Sequence, residues 1–212
     1  ALPVHKFAEY LADRAEPWER LAWTRYRVLA GPAGLTEEIN RLVTGFVYGD
    51  PDPTLPAYAR HIRSRMESEL GKERGGDRLD LKVGRGGLAD IDFLLQMLQI
   101  HHGATRPDWR VAGSRRLLAA SPASPVLEPG DWARLRDAHL FLRTLETRLR
   151  IGSDASASVL STDPHKLTVL GTRMGLPAPA GEALRQRYEQ VTGDVRRIFE
   201  QGIARLEREG TG

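Results

Sequence analysis

The stretch 79–99 constrains the chain more than any other. Leu79-Asp80-Leu81-Lys82-Val83 alternates, Gly84, Gly86 and Gly87 form a turn that carries Lys82 and Arg85, and a helical pattern follows over 88–102. At 100° per residue, Leu88, Ile91, Leu94, Leu95, Leu98 and His102 cover one broad side of that helix. Phe93, Met97 and Ile100 cover the other, and a narrow stripe of Ala89, Asp92, Gln96 and Gln99 separates them. A helix apolar on two sides is a central one, wrapped by other elements. Its polar stripe must face a cleft or paired polar groups, because burying an unpaired amide costs roughly 2–7 kcal/mol.

The remaining pattern supplies the wrapping. A short helix is expected over 5–15, with Phe7 and Leu11 on one face. A second starts at Pro17, where proline suits a first helical position. Its face is Trp18, Leu21, Ala22, Arg25 and Val28, and Gly31-Pro32 stops it. Residues 35–48 are helical, 50–56 form a proline-rich connector, and Tyr58, Ile62, Met66 and Leu70 recur at helical spacing. A charged, glycine-rich loop spans 71–78. After the central helix come a turn at 103–109, a short helix at 114–120 and a loop at 121–125. Asp131 is the expected N-cap of a long helix to about 151, with Leu135, Ala138, Leu142, Leu145 and Leu149 buried and Glu146 paired to Arg150.

A small-residue loop at 152–164 and a helix at 167–174 lead to the last helix, 182–207. There Leu184, Tyr188, Val191, Val195, Ile198, Gly202 and Leu206 make a coiled-coil-like seam. Only 79–83 alternates, so the expected fold is all-α: a helical bundle in one domain, 1–212. It divides into N-terminal helices (1–50), connector and helix (51–78), central bundle (79–151), and loop with C-terminal helices (152–212).

Composition narrows the function. The chain has 212 residues, no cysteine and a net charge of +3, with 27 arginines against 4 lysines. The arginines interleave with acids as on a solvated, ion-paired helical surface, and the clustering a nucleic-acid footprint needs is missing. Absence of cysteine removes thiolate metal sites and disulfides and suits a reducing compartment. No apolar run approaches the ~18 residues that span a bilayer, and no charged-then-apolar leader opens the chain. A soluble, cytoplasmic protein without membrane or nucleic-acid partners is expected. Arg25 and Arg27 near Trp18 and Trp23 are either stems packed on indoles or a basic patch for a phosphate-bearing partner.

Two motifs look catalytic. Asp90-Ile91-Asp92 matches the Asp-x-Asp that holds two magnesium ions in nucleotidyltransferases. That chemistry needs the pair on a strand, where residues two apart share a face. On a helix they lie about 200° apart. The Gly-Ser that should precede such a pair occurs only after it, at Gly113-Ser114 and Gly152-Ser153. No metal site is therefore expected, and adjacent His101-His102 are poor metal partners. The turn at Gly84, Gly86 and Gly87 is either a tight turn needing positive φ or a phosphate cradle of backbone N–H groups reinforced by Lys82 and Arg85.

Asp80-Leu81-Lys82-Val83-Gly84-Arg85-Gly86-Gly87-Leu88-Ala89-Asp90-Ile91-Asp92-Phe93, with Gln96 and Gln99 after it, resembles the glutamine synthetase adenylyltransferase family. The likeness is to the helical domain that follows each nucleotidyltransferase core. Phe7, Tyr10, Trp18-Glu19 and Arg25-Tyr26-Arg27 resemble the entry to that domain, residues 140–150 its later helix, and Arg173-Met174-Gly175 its last loop. The related PII uridylyltransferases share the Lys-x-Gly-x-Gly-Gly-Leu turn but usually lack the Asp-Ile-acid-Phe-x-x-Gln after it. Ala89 stands where the deadenylylating half usually has arginine, which points to the adenylylating half, and the end at Glu209-Gly210-Thr211-Gly212 suits a chain terminus.

The resemblance implies a parent that uses ATP and Mg²⁺ to transfer AMP to a tyrosine of glutamine synthetase and responds to the PII signal protein and glutamine. This segment then packs with a preceding nucleotidyltransferase core and binds no cofactor of its own. Alone it is expected to be inactive, bordering the nucleotide cleft through Lys82, Arg85, Gly86 and Gly87 with the Asp92/Gln96/Gln99 stripe behind, or docking a partner. Purely interacting roles, in the deadenylylating half or in a PII uridylyltransferase, are the alternative.

Overall fold

The computed structural model describes residues 2–49, 52–73, 79–152 and 158–209. Among these the chain is all-α, with nine α-helices, one 3₁₀ turn at Pro107–Trp109 and one two-stranded ribbon. The helices are α1 Val4–Asp13, α2 Pro17–Trp23, α3 Ala33–Tyr48, α4 Leu55–Glu73, α5 Leu88–Gly103, α6 Ser114–Ala120, α7 Pro129–Gly152, α8 Pro164–Arg173 and α9 Ala180–Glu209. Strands β1 (Leu79–Asp80) and β2 (Val159–Leu160) pair antiparallel, Leu79 opposite Leu160.

The chain forms two compact units. One takes Ala1–Arg60, Phe93–Val126 and Ile203–Gly212, and the other His61–Asp92 and Leu127–Gly202. In the first, Leu21, Val43, Val47, Leu94, Leu98, Trp109, Leu117 and Ile203 are buried. In the second, Leu81, Ile91, Leu135, Leu142, Leu145, Leu184, Val195 and Ile198 are buried. The two-sided burial expected of α5 is present, since Ile91, Leu94, Leu95, Met97, Leu98 and Ile100 are all buried. Phe93 is half-buried.

Several boundaries differ from expectation. Helix α2 stops at Trp23, because the Thr24 hydroxyl donates back to the Leu21 carbonyl at 2.7 Å and competes with the continuing helix. Val28, past the end of the helix, is consequently exposed instead of extending the face of Leu21, and Trp18 at its start is exposed as well. Helix α4 begins within the expected connector, at Leu55. Asp52 Oδ1 accepts from the Thr54 amide at 2.9 Å and hydroxyl at 2.7 Å just ahead of it. It runs to Glu73, through part of the expected loop, whose residues 74–78 lie outside the described residues.

Helix α7 begins at Pro129, so Asp131 lies inside its first turn and reaches back to the Glu128 amide at 3.2 Å. Strand β2 arises in the stretch read as a loop, of which 153–157 lie outside the described residues. Asp163 caps α8 by accepting from the Lys166 amide at 2.9 Å, starting it earlier than expected. The expected seam of α9 is buried at Leu184, Tyr188, Val195, Ile198 and Leu206, and Phe199 and Ile203 widen it. Val191 is half-buried, and 210–212 lie outside the described residues.

Candidate functional site

The glycine turn is built from hydrogen bonds inside the second unit. Asp80 starts it: one carboxylate oxygen accepts from the Lys82 amide at 2.8 Å and the Val83 amide at 3.0 Å, and its carbonyl accepts from Gly84 at 3.1 Å. Gly87 donates to Gly84 O, while Leu88 and Ala89 donate to Leu81 O and Lys82 O, each within 3.0 Å. The first amides of α5 are thus already satisfied. Gly86 adopts φ +70°, in the left-handed region that favours glycine. A Cβ there would lie 2.5 Å from the carbonyl carbon of Thr192 on α9, so the glycine also permits a close backbone approach.

Beneath the turn is a buried ionic network that sequence reading passed over. Arg63 of α4 and Asp90 of α5 are both fully buried, with Arg63 Nε 2.5 Å from Asp90 Oδ1 as a charge contact. Arg63 also donates from Nη2 to Gly84 O at 2.8 Å. Asp90 Oδ2 accepts from the Gly86 amide at 2.7 Å and lies 3.4 Å from Arg196 Nη1 of α9. Arg196 Nη1 is 3.1 Å from Glu67, its Nε is 2.7 Å from Glu200, and Glu200 lies 3.2 Å from Arg85. Of these, Arg63 and Asp90 are fully buried and face each other, as buried charge demands, whereas Arg85 and Glu200 lie at the exposed end.

The expected site residues divide accordingly. Lys82 and Arg85 are exposed, Arg85 lying 3.2 Å from Glu200, whereas Gly86 and Gly87 are buried, their amides donating to Asp90 and to the Gly84 carbonyl. What the turn presents outward is side-chain charge. Beside it lies a cavity of about 360 Å³ lined by Asp80, Gly84, Arg85, Tyr188, Thr192 and Arg196. Burial, then the Asp80 charge, raises the Tyr188 phenol above its ordinary value.

Asp90 and Asp92 do not fit a magnesium pair. The Asp90 oxygens face Arg63, Arg196 and the Gly86 amide, and Asp92 is half-buried on the same helix.

The stripe residues are divided between the two units. Gln96 and Gln99 belong to the first unit, Asp92 to the second. Gln99 donates to the carbonyls of Trp109 at 3.1 Å and Val111 at 2.7 Å. The Gln96 amide, oriented with its oxygen toward Arg25, accepts from Nε at 2.9 Å and Nη2 at 3.2 Å. Of the two readings of Arg25, this favours a structural one. His102 packs on Trp109 with ring centroids 4.4 Å apart and lies 3.1 Å from Ser124 Oγ. Burial, aided by the charges of His101 and Arg106, lowers it to about 4.

Arg63 and Arg196 carried little signal. Arg63 continues the i, i+4 line of Leu55 and Ala59, which is the fully buried line of α4, whereas Tyr58, Ile62 and Met66 are only half-buried. An arginine in an apolar line was the available clue.

The turn and network fall within a stretch, residues 60–203, that matches the sequence profile of the family described as GlnD PII-uridylyltransferase. The chain belongs to that family. Its relatives include proteins named bifunctional glutamine synthetase adenylyltransferase/adenylyl-removing enzyme, and the expected membership in that family's helical domain holds. The one from Stenotrophomonas maltophilia is 33% identical over 84% of this chain and 19% of its own length. Those from Burkholderia mallei and Rhodopseudomonas palustris are 30% and 31% identical, each over 92% of this chain and over 22% and 19% of their own lengths. The chain spans about a fifth of the length of the curated relatives it matches.

Proposed function

We propose that this chain is the helical domain of the adenylylating half of a glutamine synthetase adenylyltransferase. It serves a nucleotidyltransferase core that precedes it in the parent chain. That core, with ATP and Mg²⁺, transfers AMP to a tyrosine of glutamine synthetase in the cytoplasm, under control of the PII protein. The observation that carries the reading is the pair of exposed cations, Lys82 and Arg85, on a turn whose backbone is fixed from beneath by Asp90 and Arg63. Charge held on a rigid support suits a phosphoryl group, because a preorganised donor costs no reorganisation when charge develops. Gly86 and Gly87 serve by shaping the turn, their amides being engaged by Asp90 and by the Gly84 carbonyl. Asp92 is the stripe residue belonging to the same unit as the turn.

The test is the full-length protein carrying this chain with Lys82→Ala and Arg85→Ala combined. AMP transfer to glutamine synthetase should fall while adenylyl removal stays at the wild-type rate. Loss of removal with transfer intact would place the chain in the other half, and loss of neither would leave it an interaction module.

A further inference from the structure

We infer that Asp90 and Arg63 are positioning residues, setting the cations of the turn through its backbone without touching substrate; this rests on the reading that Lys82 and Arg85 face a phosphoryl group. Asp90 is the residue an Asp-x-Asp reading would make a metal ligand, yet it is fully buried, with Oδ1 in charge contact with Arg63 and Oδ2 accepting from the Gly86 amide. One of those partners is the Gly86 amide at 2.7 Å, directly after Arg85. Arg63, fully buried against Asp90, holds the Gly84 carbonyl at 2.8 Å, directly before Arg85. The two peptide groups flanking Arg85 are therefore clamped by two halves of one ion pair, from α4 and α5. Lys82 is tied in by the bond from Ala89 to its carbonyl at 2.9 Å, in the α5 turn that carries Asp90.

A buried ion pair is a poor means of stabilising a fold, because desolvating two charges offsets most of their attraction. What it supplies is direction. Each of these groups spends a polar atom on a backbone atom of the turn and not only on its partner. Replacing Asp90 by asparagine keeps the size but removes the charge opposite Arg63 and Arg196, and it can turn an N–H toward the Gly86 amide. Replacing Arg63 by lysine keeps the charge opposite Asp90 but cannot reach the carboxylate and Gly84 O with a planar fork.

The experiment is a thermodynamic cycle in the full-length protein, with AMP transfer, its kcat and KM, and the melting temperature measured for Asp90→Asn, for Lys82→Ala and Arg85→Ala together, and for all three combined. Asp90→Asn should lower kcat at least tenfold, and the triple variant should be within about twofold of the Lys82→Ala/Arg85→Ala pair, since the pair already removes the charges that Asp90 places. Losses that multiply in the triple variant, or Asp90→Asn turning over as the wild type does, would overturn the inference. Wild-type turnover in the Lys82→Ala/Arg85→Ala pair would instead defeat the underlying reading of the turn, whatever Asp90→Asn does.

Should Asp90→Asn not fold, Arg63→Lys and the wild type carry the test. Arg63→Lys should lower kcat more than it raises KM, and amide exchange at Gly86 in the wild type should be slow. A kcat unchanged in Arg63→Lys, or Gly86 exchanging like an unprotected peptide, would overturn it equally.

Discussion

Gly86→Ala isolates the demand the turn makes on its backbone. The residue sits at φ +70°, where an L side chain costs roughly 1–2 kcal/mol. Its new Cβ would also lie 2.5 Å from the carbonyl carbon and 2.7 Å from Cα of Thr192. Those atoms belong to the backbone of α9 and cannot rotate away, so the turn must shift against the helix, an overpacking cost of roughly 1–3 kcal/mol. The sum is about 3 kcal/mol, a fall in Tm of roughly 6–12 °C for a chain of this size. Gly45, inside α3 with nothing within 4 Å of a Cβ, is the control. There alanine should stabilise by about 0.5–1 kcal/mol through helix propensity. Circular dichroism melts of the two variants beside the wild type make the comparison. A Gly86→Ala melt within about 2 °C of the wild type would refute the reasoning, because neither the positive φ nor the approach to α9 would then be required.

Three further outcomes follow from the same geometry. Arg63→Met should cost about 3–5 kcal/mol, since it removes the nearest counter-charge of the buried Asp90 and leaves Arg196 at 3.4 Å, whereas Arg65→Met should cost less than about 1 kcal/mol; urea midpoints separate the two. His102 has a folded value of about 4 against 6.5 when free, so the unfolded chain binds the extra proton first. Its contribution is full above about pH 6.5 and is lost as pH falls toward 4, a change of about 3 kcal/mol that His102→Gln should remove from the pH dependence of the urea midpoint. The isolated chain, assayed with ATP, Mg²⁺ and glutamine synthetase, should transfer no AMP above a protein-free blank.

The elements that were legible in the sequence are those whose burial is periodic. The two apolar sides of α5 are visible in Leu88 to Ile100, and α6 and the seam of α9 are equally plain, because helix burial writes itself at a spacing of 3.6. Boundaries decided by one side chain were not legible. Thr24 ends α2 through a hydroxyl bond that composition does not distinguish from a helical threonine, and Asp52 starts α4 inside a proline-rich connector. Strand β2 is two residues long and exists because β1 is opposite it, a non-local reason no window can contain.

The site shows the same division. The glycines, Lys82 and Arg85 were visible as a local motif. The ionic network beneath them joins Arg63, Asp90 and Arg196, from three helices, and Asp90 is readable from local sequence only as a misplaced metal ligand.

The most direct test of the account is the turnover of Lys82→Ala and Arg85→Ala, made singly in the full-length protein and measured as AMP transferred to glutamine synthetase, with Tm determined on the same samples. Both side chains are exposed, so each Tm should stay within about 1–2 °C of the wild type, the corresponding stability change being below about 0.5 kcal/mol. Charge aimed at a developing phosphoryl charge contributes roughly 10²–10³ in rate. Each variant should therefore lose at least about tenfold in kcat, Lys82→Ala the more. Wild-type kcat in both, with Tm unchanged, would contradict the claim that this turn faces the reacting phosphate.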